Sequence, residues 1–217
     1  MGLAVLAVGA AAVIALLKFT LLGTLDSRHV ANASLVTASY LERIQTAALA
    51  WNRFDNQDLI DMNGLGPAVA PVPNFGTMVN GVAGGVAAGT PSVWMHFGAP
   101  TAAASPAFAR ATLDGALGVG PTDTAYCTHV RVTFTSGPDL PAAGTQGGDN
   151  FRVELRTFWA RSGRPVEDEC QLAPAAMDAM FASPAATLAI GPSTRTRAEY
   201  GVVYLSTIVR RNTSDVP

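Results

Sequence analysis

The sequence predicts an α+β protein in which one long N-terminal helix packs on an antiparallel β-sheet of roughly four strands. Three observations support this fold class. First, residues 1–66 contain no proline. Second, apolar or small residues recur at spacings of three or four between residues 30 and 51. Third, three segments after residue 125 alternate apolar with polar residues. A helix with an apolar face needs a cover, and strands with one apolar face can provide it.

The first part of the predicted helix, residues 1–25, is apolar. Met1–Leu17 carries no charge, and Lys18 is the single charged residue before Asp26. Because a helix rises about 1.5 Å per residue, 25 residues span roughly 37 Å, which exceeds the bilayer core of about 30 Å. We therefore expect this segment to be a membrane span or part of a helical filament core.

The second part, residues 26–52, has the pattern of an amphipathic helix. Its apolar face predicts that it packs directly on the remaining residues 53–217, which we call the head. The apolar or small residues of this face are Val30, Ala33, Thr37, Leu41, Ile44, Ala48 and Trp51. Among them, we expect Val30, Leu41, Ile44 and Trp51 to anchor the helix on the head.

The sheet is expected between residues 125 and 211. Its strands are predicted at Tyr126–Thr135, Phe151–Trp159 and Tyr200–Arg210, and a short helix is predicted at Pro174–Ala182. Tyr200–Arg210 is the most apolar segment outside the N-terminus, so we expect it in the middle of the sheet.

The segment between the helix and the sheet is rich in glycine, proline and alanine. The composition of residues 64–120 predicts a long surface loop with a short strand near Ser92–Phe97. Just before it, Asp55, Asp58, Asp61 and Asn63 are oxygen ligands that suggest calcium. Their spacing does not match an EF-hand loop, so we expect turns at the end of the helix and no cofactor.

Composition and motifs exclude several classes of function. Only 14% of residues are charged and the net charge is −2, so no basic stripe for nucleic acid is present. His29, His96 and His129 lack metal-ligand spacing, and no nucleophile elbow occurs. On the strand pattern, His129 is expected to face solvent, as is the acidic run 167–169. We therefore expect no enzyme.

Cys127 and Cys170 stand 43 positions apart. The alternative is that both cysteines are free thiols, which we would expect if the protein were cytosolic. A head that follows a membrane helix is expected outside the cytoplasm, where disulfides persist. We predict a disulfide, and closing such a loop stabilises by roughly 4 kcal/mol in the chain-entropy treatment.

The N-terminal residues also resemble a known family. The run GLAVLAVGAAAVIALLKFTLLGTLDSR, followed by TASYLERIQTAALAWN, is similar to the N-terminal helix of type IV pilin-like proteins. The nearest resemblance is to minor pilins of the modification protein V type and to the related pseudopilins. The ending AEYGVVYLSTIVRRN is similar to the final strand of the family. The leader, cleavage glycine, phenylalanine and glutamate of the family are expected upstream of Met1.

The resemblance implies a minor pilin that helps to initiate or build a type IV pilus at the inner membrane. It implies a single-pass helix with an extracytoplasmic head, which later joins other pilin subunits in a filament on the cell surface. A pseudopilin of a type II secretion system is the alternative with the same architecture. A membrane-anchored extracytoplasmic binding or adhesin domain is the alternative from another class. Position at the tip or in the shaft, and a partner for the glycine-rich loop, stay open.

Overall fold

The computed structural model describes residues 2–50, 90–97, 109–118, 120–134 and 150–210. It confirms the α+β class: one long helix lies on one face of an antiparallel sheet, and two short helices cover the other face. In chain order, the elements are α1 (Gly2–Ala50), β1 (Met95–His96), β2 (Arg110–Ala111), β3 (Tyr126–Phe134), β4 (Asn150–Ala160), α2 (Glu167–Gln171), α3 (Pro174–Ala182), β5 (Thr187–Ile190), β6 (Ser193–Thr196) and β7 (Tyr200–Arg210).

Helix α1 continues without a break from its apolar part into its amphipathic part. Hydroxyl side chains between these two parts donate hydrogen bonds to backbone carbonyls of the same helix. The Oγ1 of Thr20 donates to the carbonyl of Leu16 at 2.6 Å, and the Oγ of Ser27 donates to that of Gly23 at 2.9 Å. Such bonds satisfy the hydroxyl groups locally, so these residues do not interrupt an otherwise apolar helix. The predicted final residues of the helix, 51–52, lie outside the described residues.

The main sheet has the order β1–β3–β4–β7, with β2 also paired to β3, and all pairs are antiparallel. The register aligns Val130, Leu155 and Leu205 across the three long strands. The prediction that the last strand lies centrally is wrong, because β7 ends the described sheet. Tyr204 and Ile208 are 53% and 69% exposed. The apolar character of β7 therefore does not reflect burial on both faces.

The hairpin β5–β6 was not predicted. Its strands pair from Thr187 with Thr196 to Ile190 with Ser193, which leaves Gly191 and Pro192 as the turn. Gly191 has a φ of 55°, the left-handed region that the first position of such a turn can require. The Gly191-Pro192 pair is thus a local signal in the sequence that indicates this hairpin.

The core is one cluster that extends on both faces of the sheet, and its part under α1 includes the large ring of Trp159. This ring packs against the backbone of Gly201, its cross-strand partner. A Cβ at position 201 would stand 2.2 Å from the ring carbons of Trp159, well inside van der Waals contact. Glycine at 201 therefore allows the indole to lie flat on β7, beside the stacked imidazole of His29.

Candidate assembly interface

Between Val13 and Leu25, the large apolar side chains of α1 that the structure describes are exposed. Six of them are between 49% and 66% exposed: Val13, Ile14, Leu16, Leu17, Leu21 and Leu25. Burying one such side chain stabilises by roughly 1.5–3 kcal/mol. A contiguous group of this kind is unusual on a monomer and typically marks contact with a membrane or with another protein. We call residues 2–25 of α1 the stalk.

The amphipathic part of α1 packs on β4 and β7. Its buried residues are His29, Ala33, Val36, Thr37, Tyr40 and Ile44. Of the expected anchors, Ile44 is completely buried, and Leu41 is partly buried against the core. Trp51 lies outside the described residues.

Val30 is a correction, because it is 42% exposed and does not belong to the buried face. Each residue of a helix is rotated by about 100° from the one before it. Since the neighbouring His29 is buried, Val30 points away from the head. The expected and the observed buried faces of α1 share Ala33, Thr37 and Ile44. The observed face also includes residues 29, 36 and 40, so it is rotated around the helix axis away from Val30.

Tyr40 is a central contact that the sequence pattern did not indicate. Its ring lies 4.3 Å from that of Phe97, and its hydroxyl donates to the carbonyl of Arg110 at 3.3 Å. Burial raises the pKa of Tyr40, although the charge of Arg43 opposes the shift. The spacing of His29, Ala33, Val36, Tyr40 and Ile44 is helical, but the polar ends of the first and fourth residues obscured it.

A chain of three threonines crosses the interface between α1 and the sheet. The Oγ1 of Thr37 lies 2.6 Å from the carbonyl of Ala33 and 2.7 Å from the hydroxyl of Thr157. That hydroxyl lies 2.8 Å from the hydroxyl of Thr128. All three threonines are buried. Since buried hydroxyls need partners, this chain stabilises one position of the helix along the strands.

His129 is another correction, because it is completely buried and does not face solvent. Its Nδ1 accepts a hydrogen bond from the guanidinium of Arg156 at 3.1 Å. Burial holds the pKa of His129 well below its usual value, and the charge of Arg156 and the neighbouring His96 lower it further. Helices α2 and α3 cover this face of the sheet, so strand alternation alone could not reveal its burial.

The guanidinium of Arg156 is also enclosed. It donates to Asp178 at 2.7 Å and to the carbonyl of Pro174 at 2.8 Å, and it lies 4.2 Å from the centre of the Trp94 ring. These contacts compensate a charge that would be costly to bury alone. They also fasten α3 to β4, because both acceptors belong to α3.

The acidic run before α3 is only partly exposed, contrary to the prediction. The side chain of Glu169 is 1% exposed and accepts hydrogen bonds from Arg164 and from the hydroxyl of Tyr200, the latter at 2.6 Å. Burial alone would raise the pKa of Glu169, but these two hydrogen bonds hold it below its usual value. The residue links α2 to β7.

The predicted disulfide between Cys127 and Cys170 is confirmed. Their Cα atoms are 5.7 Å apart, and both residues are completely buried. The bond joins β3 to α2, so it holds the same outer layer that Arg156 and Glu169 hold. We call α2, α3 and their bonds to the sheet the outer clamp.

Neither a metal site nor a membrane span is identified in the described part of the chain. No group of three or more histidine, cysteine, aspartate or glutamate residues there could hold a metal ion. Asp55, Asp58, Asp61 and Asn63, the residues considered for calcium, lie outside it. No helix in the described residues is both long and apolar enough to cross a membrane.

Comparison with models of known families finds no match, and comparisons with curated proteins and with solved structures also find none. What the chain does is therefore inferred from its own residues and geometry. The most prominent feature is α1, whose apolar stalk, exposed where its side chains are described, continues into a part that is packed on the head.

Proposed function

We propose that the chain is a pilin-like structural subunit, a minor pilin that helps to initiate or build a type IV pilus. One observation carries the proposal: a single helix exposes large apolar side chains between Val13 and Leu25 and buries its following part in the head. The exposed part needs a cover that the described head does not provide. Lipid can supply that cover before assembly, and the stalks of other subunits can supply it in a filament.

The join between the two halves supports a rigid stalk. The helix has no break there, and Asp26 accepts a hydrogen bond from Arg161 of the head at 3.1 Å. The imidazole of His29 stacks on Trp159 just beyond it. A binding domain on a simple anchor would be expected to follow a flexible tether. A filament subunit benefits from a stiff join, because its head must keep one position relative to the helical core.

The proposal includes a place in the cell. The stalk would cross the inner membrane once, with the head outside the cytoplasm, and would later pack among other pilin subunits in a surface filament. The Cys127–Cys170 disulfide supports an oxidising compartment. Neither catalysis nor nucleic-acid binding is part of this role.

Cysteine cross-linking in cells tests the proposal. Ile14→Cys and Leu21→Cys would each place one free thiol on the stalk, because the two native cysteines are bonded to each other. Ser183→Cys, an exposed position after α3, is the matched control on the head. We expect mild oxidation to yield cross-linked dimers with both stalk variants and much less with the control.

The location of the cross-linked species separates the candidate functions. Cross-linked chain in filaments sheared from the cell surface supports a pilus subunit. Cross-linked chain that stays in the envelope would instead indicate a pseudopilin. Monomers alone in both stalk variants, with the chain confined to the membrane, would contradict assembly and favour an anchored binding domain.

A further inference from the structure

A cleft of about 740 Å³ lies where the stalk meets the head. One wall is α1 from Leu25 to Asn32, and the other is formed by three segments of the head. The head residues that line it are 112–114, 122–125, Gly163 and Pro165. It therefore opens beside the first residues of the helix that the head covers.

The position of the cleft relates it to the membrane, and this step rests on the proposed function. Leu25 is the last exposed large apolar residue of the stalk and also lines the cleft. Arg28 follows three residues later, which is about 4.5 Å along the helix axis. The polar headgroup layer is roughly 5–8 Å thick on each side of the bilayer core. If the stalk spans the core, the part of the cleft around Arg28 lies in the headgroup layer.

Some polar groups of the cleft are already used within the protein. The amide nitrogen of Asn32 donates to the carbonyl of Leu113 at 2.9 Å, and Nδ1 of His29 lies 3.1 Å from the hydroxyl of Tyr126. The hydroxyl of Thr112 bonds to one oxygen of Asp114. These bonds shape the walls, so they are not available to a ligand without a loss.

The charged side chains that are described in the cleft do not form ion pairs with one another. Within the described residues, Arg28 and Asp123 form neither a hydrogen bond nor an ion pair through their side chains. The carboxylate of Asp114 already accepts from the hydroxyl of Thr112, and the backbone amides of Asp114 and Ala116 also lower its pKa and keep it charged. One cation and two carboxylates thus line the same cleft without pairing with one another. Charges arranged this way match a ligand that carries both signs at separate positions.

We propose that this cleft binds the headgroup of a zwitterionic phospholipid with a primary amine, of the phosphoethanolamine class. The guanidinium of Arg28 contacts the phosphate in a charge-assisted hydrogen bond. The carboxylates of Asp114 and Asp123 accept from the ammonium, which has three N–H donors. Leu25 and the exposed Leu113 contact the glycerol and the first acyl carbons.

The same groups disfavour other headgroups. A purely anionic headgroup would meet two carboxylates and one arginine, so it would be repelled on one side. A quaternary choline group has no N–H to donate, so it would leave both carboxylates without hydrogen bonds. A primary amine therefore fits the cleft best.

The test uses the full chain in maltoside micelles and glycerophosphoethanolamine as the probe. The amide NMR signals of Asn32 and Gly163 would report on the cleft. We expect saturable shifts, with a dissociation constant at least fivefold higher for glycerophosphocholine. Arg28→Gln and Asp123→Asn should each weaken binding at least fivefold, and Arg28→Lys should weaken it less. Asp168→Asn, an exposed carboxylate outside the cleft, should change nothing.

Several outcomes would overturn the proposal. These are no saturable shift, equal binding of the choline compound or of inorganic phosphate, and full binding by both Arg28→Gln and Asp123→Asn. Shifts that depend on protein concentration without a probe would assign the cleft to a second copy of the chain. Binding in micelles does not require filament assembly. If the probe does not bind but the stalk variants still cross-link in cells, the headgroup proposal is contradicted and the filament proposal is not. If the probe binds but the stalk variants do not cross-link, the filament proposal is contradicted and the headgroup proposal is not.

Discussion

Helices lie on both faces of the main sheet, but different chemistry holds them there. Helix α1 covers one face with apolar side chains and the threonine chain that begins at Thr37. The outer clamp covers the other face with the Cys127–Cys170 bond and the buried charges of Arg156 and Glu169. Helix α3 also buries Met177 and Met180 in the core, and the covalent and ionic bonds hold α2 and α3 in addition.

This difference predicts different sensitivities. Apolar burial depends little on pH or redox conditions, whereas a disulfide and buried titratable groups respond to both. Changes on the α1 face should therefore lower stability equally under all conditions. Changes in the outer clamp should alter how stability depends on reductant and on pH. The following predictions test this contrast, from the largest expected effect to the smallest.

Removal of the disulfide should have the largest effect. We expect the double variant Cys127→Ala/Cys170→Ala to lose roughly 4 kcal/mol of unfolding free energy, because the bond closes a long loop. Urea unfolding of the full chain in a mild detergent, followed by tryptophan fluorescence, would measure this loss. Reductant should destabilise the native chain and leave the double variant unchanged. A native chain that is equally stable with and without reductant would contradict a structural role for the bond.

Truncation on the α1 face should come next. Ile44→Ala should cost about 2–5 kcal/mol, because it removes a completely buried side chain from the core. Leu41→Ala should cost less, since Leu41 is partly exposed. Glu42→Ala is the matched control on the exposed side and should stay within about 0.5 kcal/mol. The same urea midpoints for Ile44→Ala and Glu42→Ala would mean that α1 does not pack on the sheet.

Acid should weaken the outer clamp by a smaller amount. The pKa of His129 is lowered in the folded chain by burial and by Arg156, so the unfolded chain binds more protons below about pH 6.5. Stability is therefore complete above that pH and falls as the pH decreases, by up to about 1.4 kcal/mol per pH unit for one such group.

Urea midpoints at pH 7.5 and 5.5 would measure this effect. His129→Gln should reduce the pH dependence without abolishing it, because burial also lowers the pKa of His96. Ile44→Ala should lower both midpoints and keep the dependence of the native chain. If His129→Gln retained the full dependence, His129 would not be the responsible group.

Loss of the stalk should have the smallest effect on the head. Deletion of residues 1–25 removes side chains that are exposed where described, so we expect a change within about 0.5 kcal/mol. The shortened chain should also stay monomeric without detergent, as judged by light scattering. A strongly destabilised head would show that the stalk belongs to the folded domain and is not reserved for lipid or other subunits.

Local patterns predicted much of the fold. Strict alternation located β3 and β4 to within about one residue at each end, and Pro174 marked the start of α3. The single cysteine pair, together with the expectation that the head lies outside the cytoplasm, predicted the disulfide. The cleft could not be predicted, because its walls come from three separate segments of the head and from α1.

The sequence by itself determined the long helix, the alternating strands and the apolar stalk, because each depends on the order of polar and apolar side chains along a short stretch of chain. Only the tertiary structure decided which residues of α1 face the head, since one residue of helix rotation exchanges Val30 for His29. It also decided that β7 ends the described sheet and that His129, Arg156 and Glu169 are buried. A polar strand face is exposed or buried according to what folds over it, and the period of the strand is the same in both cases.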